Sequence, residues 1–152
     1  MNRSEREITE RTEIDQIIHG CEVCHLGFAV SDEPYVVPVS YGYDCEYLYI
    51  HTAAEGKKID CIAANPRVCF SMERNIRLVA SDSGPCKWTF KYESVIGFGK
   101  LEELTDPKDK NIGLSEIVRH YSGNGWTFEP HELVSTRIWR LSIDTITGKR
   151  SE

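Results

Sequence analysis

Residues 47–70 restrict the fold of this chain more than any other segment, because they read as a strand, a helix and a second strand in immediate succession. The apolar run from Tyr47 to Ile50 predicts the first strand. A helical pattern follows over about residues 55–64 and ends at Asn65-Pro66, since proline cannot continue a helix. Alternating apolar residues resume directly afterwards. The chain must therefore accommodate a strand–helix–strand unit whose connections are short.

The start of this helix has the features of an anion site. Lys57 and Lys58 lie in its first turns, and the hydroxyl of Thr52 precedes them at the end of the strand. The first N–H groups of a helix have no internal partners, and the macrodipole favours negative charge at that end. Two adjacent lysines alone more often indicate a solvated helix face. Here the preceding strand and threonine favour a local phosphate site on an otherwise acidic chain.

Length and charge exclude several classes of protein. The 152 residues predict a single domain over 1–152 with one hydrophobic core. The formal net charge of −6 argues against nucleic acid and against an anionic membrane surface as partners. No stretch approaches the roughly 20 apolar residues of a membrane span, and the charged N-terminus lacks the apolar core of a signal peptide. We expect a cytoplasmic protein whose six cysteines are reduced.

Alternating apolar residues predict a mainly β fold with peripheral helices. We predict a first helix with Ile14, Ile17 and Ile18 on one face and Gly20 as its C-terminal cap, and a third helix that begins at Asp106-Pro107. The second helix has Ile59, Ile62 and Ala63 on its inner face. Residues 75–86 and 122–132 are predicted loops. Strands are predicted over residues 23–30, 35–43, 47–50, 68–72, 88–104 and 136–146, with bends or bulges at Gly97 and Gly99. Six mainly antiparallel strands with three helices suggest a small β-barrel.

Pro38 lies in the middle of the second predicted strand. Proline removes one hydrogen bond from the ladder between strands, so this strand should be an edge strand or carry a bulge. The backbone freed from the ladder near Pro38 is then available to a ligand. The apolar side chains of this strand share one side and are Tyr35, Val37, Val39, Tyr41 and Tyr43.

Cys21-x-x-Cys24 admits two functional interpretations, a redox dithiol or half of a zinc site. A redox CxxC motif usually begins a helix, whereas this one joins the end of a helix to the start of a strand. The sequence contains no second CxxC, CxxH or HxxxH motif, although His19 or His25 could converge on these thiols in space. We expect structural thiols that bind no metal. Motifs for serine hydrolysis, for a P-loop or for dinucleotide binding are also missing from the sequence.

The order of these motifs resembles the FMN-binding split β-barrel of the pyridoxamine-phosphate oxidase superfamily. Within that superfamily the chain is most similar to the nitroimidazole-resistance (Nim-like) branch. The resemblance extends over nearly the whole chain and is carried by CEVCHLGF, PYVVPVSYGY, YLYIHTAAEGKKID, NPRVCF, KYESVIGFGKLEEL and a final ITGK. It implies a six-stranded, mostly antiparallel split β-barrel and a homodimer with two FMN sites at the subunit interface.

The resemblance also implies where FMN binds. The strand Val37-Pro38-Val39-Ser40-Tyr41 resembles the family segment whose backbone runs along the edge of the isoalloxazine ring. His51 and Thr52 stand where the family has a strand-end pair that approaches the ribityl and phosphate groups.

The basic pair and the long strand complete this implied site. Lys57 and Lys58 match the adjacent basic residues that hold the phosphate, and Ser94 matches a polar side chain that reaches the cofactor. The oxidases themselves have Ser-Arg-Lys where this chain has Gly56-Lys57-Lys58. Lysine cannot reproduce the bidentate fork of arginine. The arginine-rich C-terminal substrate segment of the oxidases is not evident in this chain either.

Our leading hypothesis is an FMN-dependent oxidoreductase that reduces or oxidises a small molecule, nitro-aromatic compounds being one class. His51 is then the candidate proton donor, and the substrate should approach the flavin beside His51 and Tyr41. One alternative is a flavin-binding or flavin-storing module with no dedicated substrate. Another is a thiol- or zinc-dependent redox sensor built on Cys21 and Cys24.

Overall fold

Eight strands and four α-helices make up the structure, a computed structural model that describes residues 4–151. Two short 3₁₀ turns, at Ser4–Arg6 and Pro85–Lys87, complete the regular structure. The elements in chain order are β1 Glu7–Ile8, α1 Arg11–Gly20, β2 Cys24–Val30, β3 Glu33–Val39, β4 Gly42–Tyr43, β5 Tyr47–Thr52, α2 Lys57–Ala64, β6 Arg67–Val79, β7 Thr89–Leu104, α3 Pro107–Ser122, α4 Pro130–Val134 and β8 Arg137–Ser151.

The strands form one antiparallel sheet in the order β3-β2-β6-β7-β8-β5-β4, and β1 pairs with β8. The predicted mainly β architecture with peripheral helices is confirmed. The number of strands is eight rather than six, because β1 and β4 are two-residue strands that pattern analysis cannot detect. Within residues 4–151, no helix is both long enough and apolar enough to cross a membrane.

The core lies under the inner face of the sheet. The inward side chains of β2 and β6 alternate as predicted, and Leu26, Phe70 and Met72 are fully buried. Helix α1 covers this cluster with its apolar stripe, which includes Ile17 and Ile18. Helix α3 packs against β4 and β5 and closes a second, smaller cluster.

Pro38 lies in β3, which is the edge strand at one end of the sheet, as predicted. The predicted strand over residues 35–43 is, however, interrupted. β3 ends at Val39, and β4 pairs with β5 at the opposite end of the strand order. Ser40 and Tyr41 therefore carry the chain from one end of the sheet to the other, and neither belongs to a strand.

The loop predicted over residues 75–86 is partly wrong, because β6 continues to Val79. Asn75 adopts a left-handed backbone conformation with φ of +57°, and the register with β7 shifts between Arg74 and Arg77. Beyond that bulge Leu78 pairs with Phe90. The pairing partner lies about a dozen residues away along the chain, which local periodicity cannot detect.

The helices are close to the prediction and differ at their ends. Asp106 caps α3 by accepting a hydrogen bond of 2.9 Å from the backbone N–H of Lys108. Gly20 lies inside α1 and is not a left-handed cap, since Cys21 ends that helix in an extended conformation. Helix α2 buries Ile62, but Cys61 is buried in place of the predicted Ala63. Helix α4 occupies part of a predicted loop, and β8 runs five residues past the predicted end.

Candidate functional site

The N-terminal end of α2 presents backbone N–H groups without helical partners. The first hydrogen bond of this helix runs from the N–H of Asp60 to the carbonyl of Gly56, at 3.1 Å. The amides of residues 57–59 precede it and point beyond the helix end. Gly56 has φ of +124° and ψ of 174°, a conformation that only glycine adopts readily. Free amides of this kind can bind an anion, and the anion site at this helix end stays a prediction.

The two lysines of α2 have different neighbours. The ammonium of Lys57 donates a hydrogen bond to Glu33 Oε1 at 2.7 Å and lies 4.7 Å from the centre of the Tyr35 ring. The hydrogen bond between the two side chains raises the pKa of Lys57 and lowers the pKa of Glu33. Lys58 is half-buried, and its charge helps to lower the pKa of His51. Lys57 is therefore engaged with the β2–β3 hairpin, and Lys58 lies on the His51 side.

His51 is exposed on β5, the strand that leads into α2, where it pairs with Ile138 of β8. Neighbouring atoms still keep part of the solvent away from the imidazole, which lowers the pKa of His51 below its ordinary value, and the nearby Lys58 lowers it further. The ring is consequently neutral at pH 7. Its position near the end of β5 and the effect of Lys58 on its pKa put it near the N-terminal end of α2, and its role at a cofactor stays a prediction.

Thr52 does not have the predicted role of a phosphate donor. Its side chain is only 3% exposed, and its hydroxyl donates a hydrogen bond of 2.9 Å to the carbonyl of Ala53. The same oxygen accepts a 3.0 Å hydrogen bond from the indole Nε1 of Trp139. Because the single hydroxyl proton is already used, Thr52 has none to donate to a ligand. In this structure it joins the end of β5 to β8.

The segment Val37-Pro38-Val39-Ser40-Tyr41 offers a ligand its backbone and two exposed residues, Pro38 and Ser40. The side chain of Tyr41 is 0% exposed, and its hydroxyl lies within hydrogen-bond distance of the carbonyls of Ile18 and Cys21, which share its single proton. The backbone N–H of Tyr41 donates to the hydroxyl of Tyr121 at 3.2 Å. Tyr41 thus fastens this crossing segment to α1 and α3. The Tyr41 ring is thus inaccessible to a substrate in this chain, and the approach of a substrate beside His51 and Tyr41 stays a prediction.

Ser94 lies far along the sheet from the α2 end of the same chain. Ser94 pairs with Lys149 of β8, whereas His51 pairs with Ile138 of that strand. Eleven residues of extended strand separate those partners, which corresponds to about 36 Å of strand length. The structure therefore brings together His51, Lys58 and the α2 amides, and it leaves Ser94 outside that group.

The outer face of the sheet is apolar, a feature that was not among those predicted. One row across four strands runs from Val36 through Gly27 and Cys69 to Phe98, and Ile96 lies two residues from Phe98 on the same side of β7. Val36 is 63% exposed, Phe98 49% and Ile96 45%. The signal was present in the sequence, since β-strands that are apolar on both sides are typical of sheets covered on both faces.

Cys21 and Cys24 are free, buried thiols. Burial raises the pKa of Cys21 to about 11 and that of Cys24 to about 12, so both are protonated at neutral pH. Metal ligation and thiol exchange require the thiolate. Among residues 4–151, no group of three or more His, Cys, Asp or Glu side chains has the arrangement of a metal site.

The sequence profile of the family described as pyridoxamine 5'-phosphate oxidase matches residues 10–150. A solved structure from Bacteroides thetaiotaomicron VPI-5482, described as a candidate 5-nitroimidazole antibiotic resistance protein, is 30% identical. It has a TM-score of 0.83, with 94% of this chain and 85% of that chain covered. An uncharacterised protein of Rhizobium meliloti is 26% identical over 97 residues, which are 64% of this chain and 56% of that protein. The match thus spans little more than half the length of that curated relative.

Two further solved structures are more distant in sequence. The FAD- and heme-binding protein of Mycobacterium smegmatis is 19% identical with a TM-score of 0.85, and 97% of this chain and 74% of that chain are covered. An FAD-binding protein of Mesorhizobium loti is 24% identical with a TM-score of 0.71, over 97% of this chain and 98% of that chain. At these identities the likeness shows a shared fold.

Proposed function

The chain belongs to the pyridoxamine 5'-phosphate oxidase family, and on that basis we propose that it is a cytoplasmic, FMN-dependent oxidoreductase that acts on a small molecule. The observation that carries the proposal is the α2 end, where Gly56, the first helical amides, Lys58 and His51 lie together. A helix N-terminus with an adjacent ammonium is suited to a single phosphate group. The antiparallel sheet with its peripheral helices is the split β-barrel of this family.

Residues 56–58 would hold the phosphate of FMN. The amides of Lys57 and Lys58 point beyond the helix end, and the Lys58 ammonium adds a charge-assisted contact. Lys57 can contribute its ammonium only by leaving Glu33, which lies 2.7 Å away. Bound FMN would supply the electron or hydride transfer, and the protein groups around it set its position and electronics.

His51 is the residue that would contact the molecule that accepts electrons from reduced FMN. It is exposed at the end of a strand, so a rigid element holds it beside the proposed phosphate site. Its lowered pKa keeps the imidazole neutral at pH 7, and in that form one ring nitrogen donates a hydrogen bond. His51 would hold an oxygen of the acceptor at neutral pH and donate a proton to it at lower pH.

The acceptor class follows from the relative of 30% identity, a candidate 5-nitroimidazole antibiotic resistance protein. We propose small nitro-aromatic compounds as the first acceptors to test, with other small electrophiles such as quinones next. A flavin-storing module remains the second candidate function. The two are distinguished by whether any acceptor oxidises the reduced protein–flavin complex faster than it oxidises free reduced flavin.

We also propose that the protein is a homodimer in which the apolar outer face is covered by a second copy. Val36, Ile96 and Phe98 are exposed on this face, and solvent exposure of contiguous apolar surface favours association. Ser94 lies on the same side of β7 as Ile96 and Phe98, because side chains two residues apart share one face of a strand. A dimer through this face would therefore put Ser94 at the subunit interface.

The test is an absorption spectrum of the purified protein followed by a flavin titration of wild type and of a Lys57→Gln/Lys58→Gln variant. The Lys58 contact is worth roughly 1.5–3 kcal/mol, and Lys57 adds less because it must first leave Glu33, so the variant should bind FMN at least about tenfold more weakly. A Lys87→Gln/Lys108→Gln variant is the control, since it changes the net charge equally at two exposed lysines outside α2 and outside the apolar outer face. Equal affinity in both double variants would remove the phosphate assignment.

A further inference from the structure

The segment that leads into α2 has little support of its own. Residues 53–56 are all exposed, and they connect β5 to α2 without regular structure. A side chain added at Gly56 would have no neighbour within 4 Å. Besides the packing of α2 through Cys61 and Ile62, contacts that other elements make with this segment therefore help to set the position of the first α2 amides.

Arg137 of β8 makes such a contact. Its Nη1 donates a hydrogen bond of 3.2 Å to the carbonyl of Ala54. Its Nε and Nη2 donate to the two carboxylate oxygens of Glu103, at 2.8 and 2.7 Å. The guanidinium also lies 4.9 Å from the centre of the Trp139 ring.

The orientation of this guanidinium is set by paired strands. Glu103 lies on β7 and pairs directly with Trp139 of β8, so the carboxylate and the aromatic ring belong to one rigid ladder. A bidentate arginine–carboxylate pair has a fixed planar geometry. With two nitrogens fixed by Glu103, the third is directed at Ala54. Trp139 holds the other end of the segment through Thr52.

We propose that Arg137 is a positioning residue for ligand binding at α2: it holds the carbonyl of Ala54, and thereby sets the position of Gly56 and of the first helical amides. The proposal rests on the proposed function in so far as the ligand is the phosphate of FMN. Arg137 itself need not touch the ligand. Its effect passes through the backbone of residues 54–56.

Arg140 provides a matched control in the same two strands. It forms an ion pair of 2.8 Å with Glu102 of β7 and lies 4.6 Å from the centre of the Tyr47 ring. Its side chain is exposed to the same extent as that of Arg137. In the part of the chain that the structure describes, only Arg137 of this pair hydrogen-bonds to the segment before α2.

The experiment compares Arg137→Met with Arg140→Met, since methionine keeps most of the aliphatic stem and removes all donors. We expect similar changes in melting temperature for the two variants. Hydrogen exchange without flavin should quicken at the amides of residues 54–59 in Arg137→Met alone. FMN affinity should fall about tenfold in that variant and stay unchanged in Arg140→Met, because one hydrogen bond from a charged donor is lost.

If Arg137→Met does not fold, a milder substitution can still test the proposal. Glu103→Gln retains the arginine but loosens its orientation, and Glu102→Gln is its control. Faster exchange at residues 54–59 in Glu103→Gln alone supports the proposal. Equal exchange and equal affinity within each matched pair would overturn it. A wild-type protein that binds no flavin would instead refute the proposed function, and the exchange comparison would still decide the role of Arg137.

Discussion

At the residue scale, the two neighbouring lysines of α2 differ in what they can offer an anion. Lys57 is held by Glu33 and lies over Tyr35, whereas Lys58 is half-buried near His51. A ligand phosphate must compete with the Glu33 carboxylate for Lys57. Lys58 and the amides of the helix end meet no such competitor among the hydrogen bonds of residues 4–151. The adjacent basic pair is thus divided into one residue that binds the hairpin and one that faces the site.

His51 allows a prediction about pH. Its pKa is lowered from about 6.5, so the ring gains a proton only as the pH falls below that value. If it donates a proton, oxidation of the reduced protein–flavin complex by a nitro-aromatic acceptor should quicken on acidification below about pH 6.5. His51→Ala should still bind FMN and lose this acceleration. The measurement is stopped-flow oxidation between pH 5 and 8, and identical pH profiles in the two proteins would limit His51 to packing.

The lowered pKa of His51 also predicts the direction in which the free energy of unfolding changes with pH. A histidine whose pKa is lower in the folded state binds fewer protons there than in the unfolded chain. His51 therefore lowers the free energy of unfolding as the pH falls through about 6.5. The pKa of His120 is also lowered by partial burial, so its effect on stability has the same direction. Faster oxidation at low pH must consequently be measured where the protein is still folded.

At the scale of elements, α2 depends on glycine at its N-terminal boundary. Gly56 and Gly84 both have positive φ, at +124° and +112°, and both precede a helical turn. Neither has a heavy atom within 4 Å of an added Cβ, so space does not explain the glycine at either position. Backbone conformation is the reason, since this region of φ and ψ is essentially restricted to glycine.

These two glycines provide a matched pair of variants. Gly56→Ala and Gly84→Ala should each destabilise the protein by about 1–3 kcal/mol through backbone strain. Only Gly56→Ala should weaken FMN binding, because only Gly56 borders the α2 amides. Thermal unfolding and flavin titration are the two measurements. A loss of FMN affinity that is the same in both variants would mean that α2 is not the phosphate site.

At the scale of the whole molecule, the outer face of the sheet is relevant to the candidate cofactor site, because a second copy packed there would add residues to it. Ser94 is separated from the α2 end by about 36 Å of strand within one chain. The apolar face that carries Ile96 and Phe98 is exposed next to it. A second copy packed on this face would cover the apolar side chains and bring Ser94 to an interface, where the family resemblance puts the cofactor.

We predict that Phe98→Lys converts a dimer into a monomer and weakens FMN binding, because a charge in a buried apolar interface is strongly unfavourable. Trp126→Lys is the control. It introduces the same charge at an aromatic residue that is exposed in the loop after α3, outside the sheet. Sedimentation or light scattering gives the mass of each variant. A wild-type monomer, or a Phe98→Lys dimer, would contradict the proposed interface.

Several elements could be predicted because their causes are local. The stripe of Ile14, Ile17 and Ile18 requires only helical periodicity, and the Asp106 cap requires only a carboxylate next to the first free amides. The edge position of Pro38 follows from its missing N–H. The unit of strand, helix and strand across residues 47–70 is present as predicted, and it carries the candidate site.

Other features depend on partners far away in the chain. The β6–β7 pairing beyond Asn75 and the two-residue strand β4 each need a second strand to exist. The sequence pattern makes Tyr41 one more strand residue, whereas in the fold it donates hydrogen bonds to Ile18, Cys21 and Tyr121. Periodicity reports which side of a strand a residue occupies, and it does not report where that strand ends.

The mainly β class, the family resemblance and the helix end with its two lysines were predictable from the amino-acid sequence, since they follow from local periodicity, composition and motif order. Which of those groups remain free to bind a ligand depends on contacts that form in the folded chain. In the fold, the Thr52 hydroxyl hydrogen-bonds to Ala53 and Trp139, Lys57 donates to Glu33, and Arg137 donates to Ala54. The physical reason is that a donor serves a ligand only if no nearer acceptor uses it, and distant residues supply those acceptors.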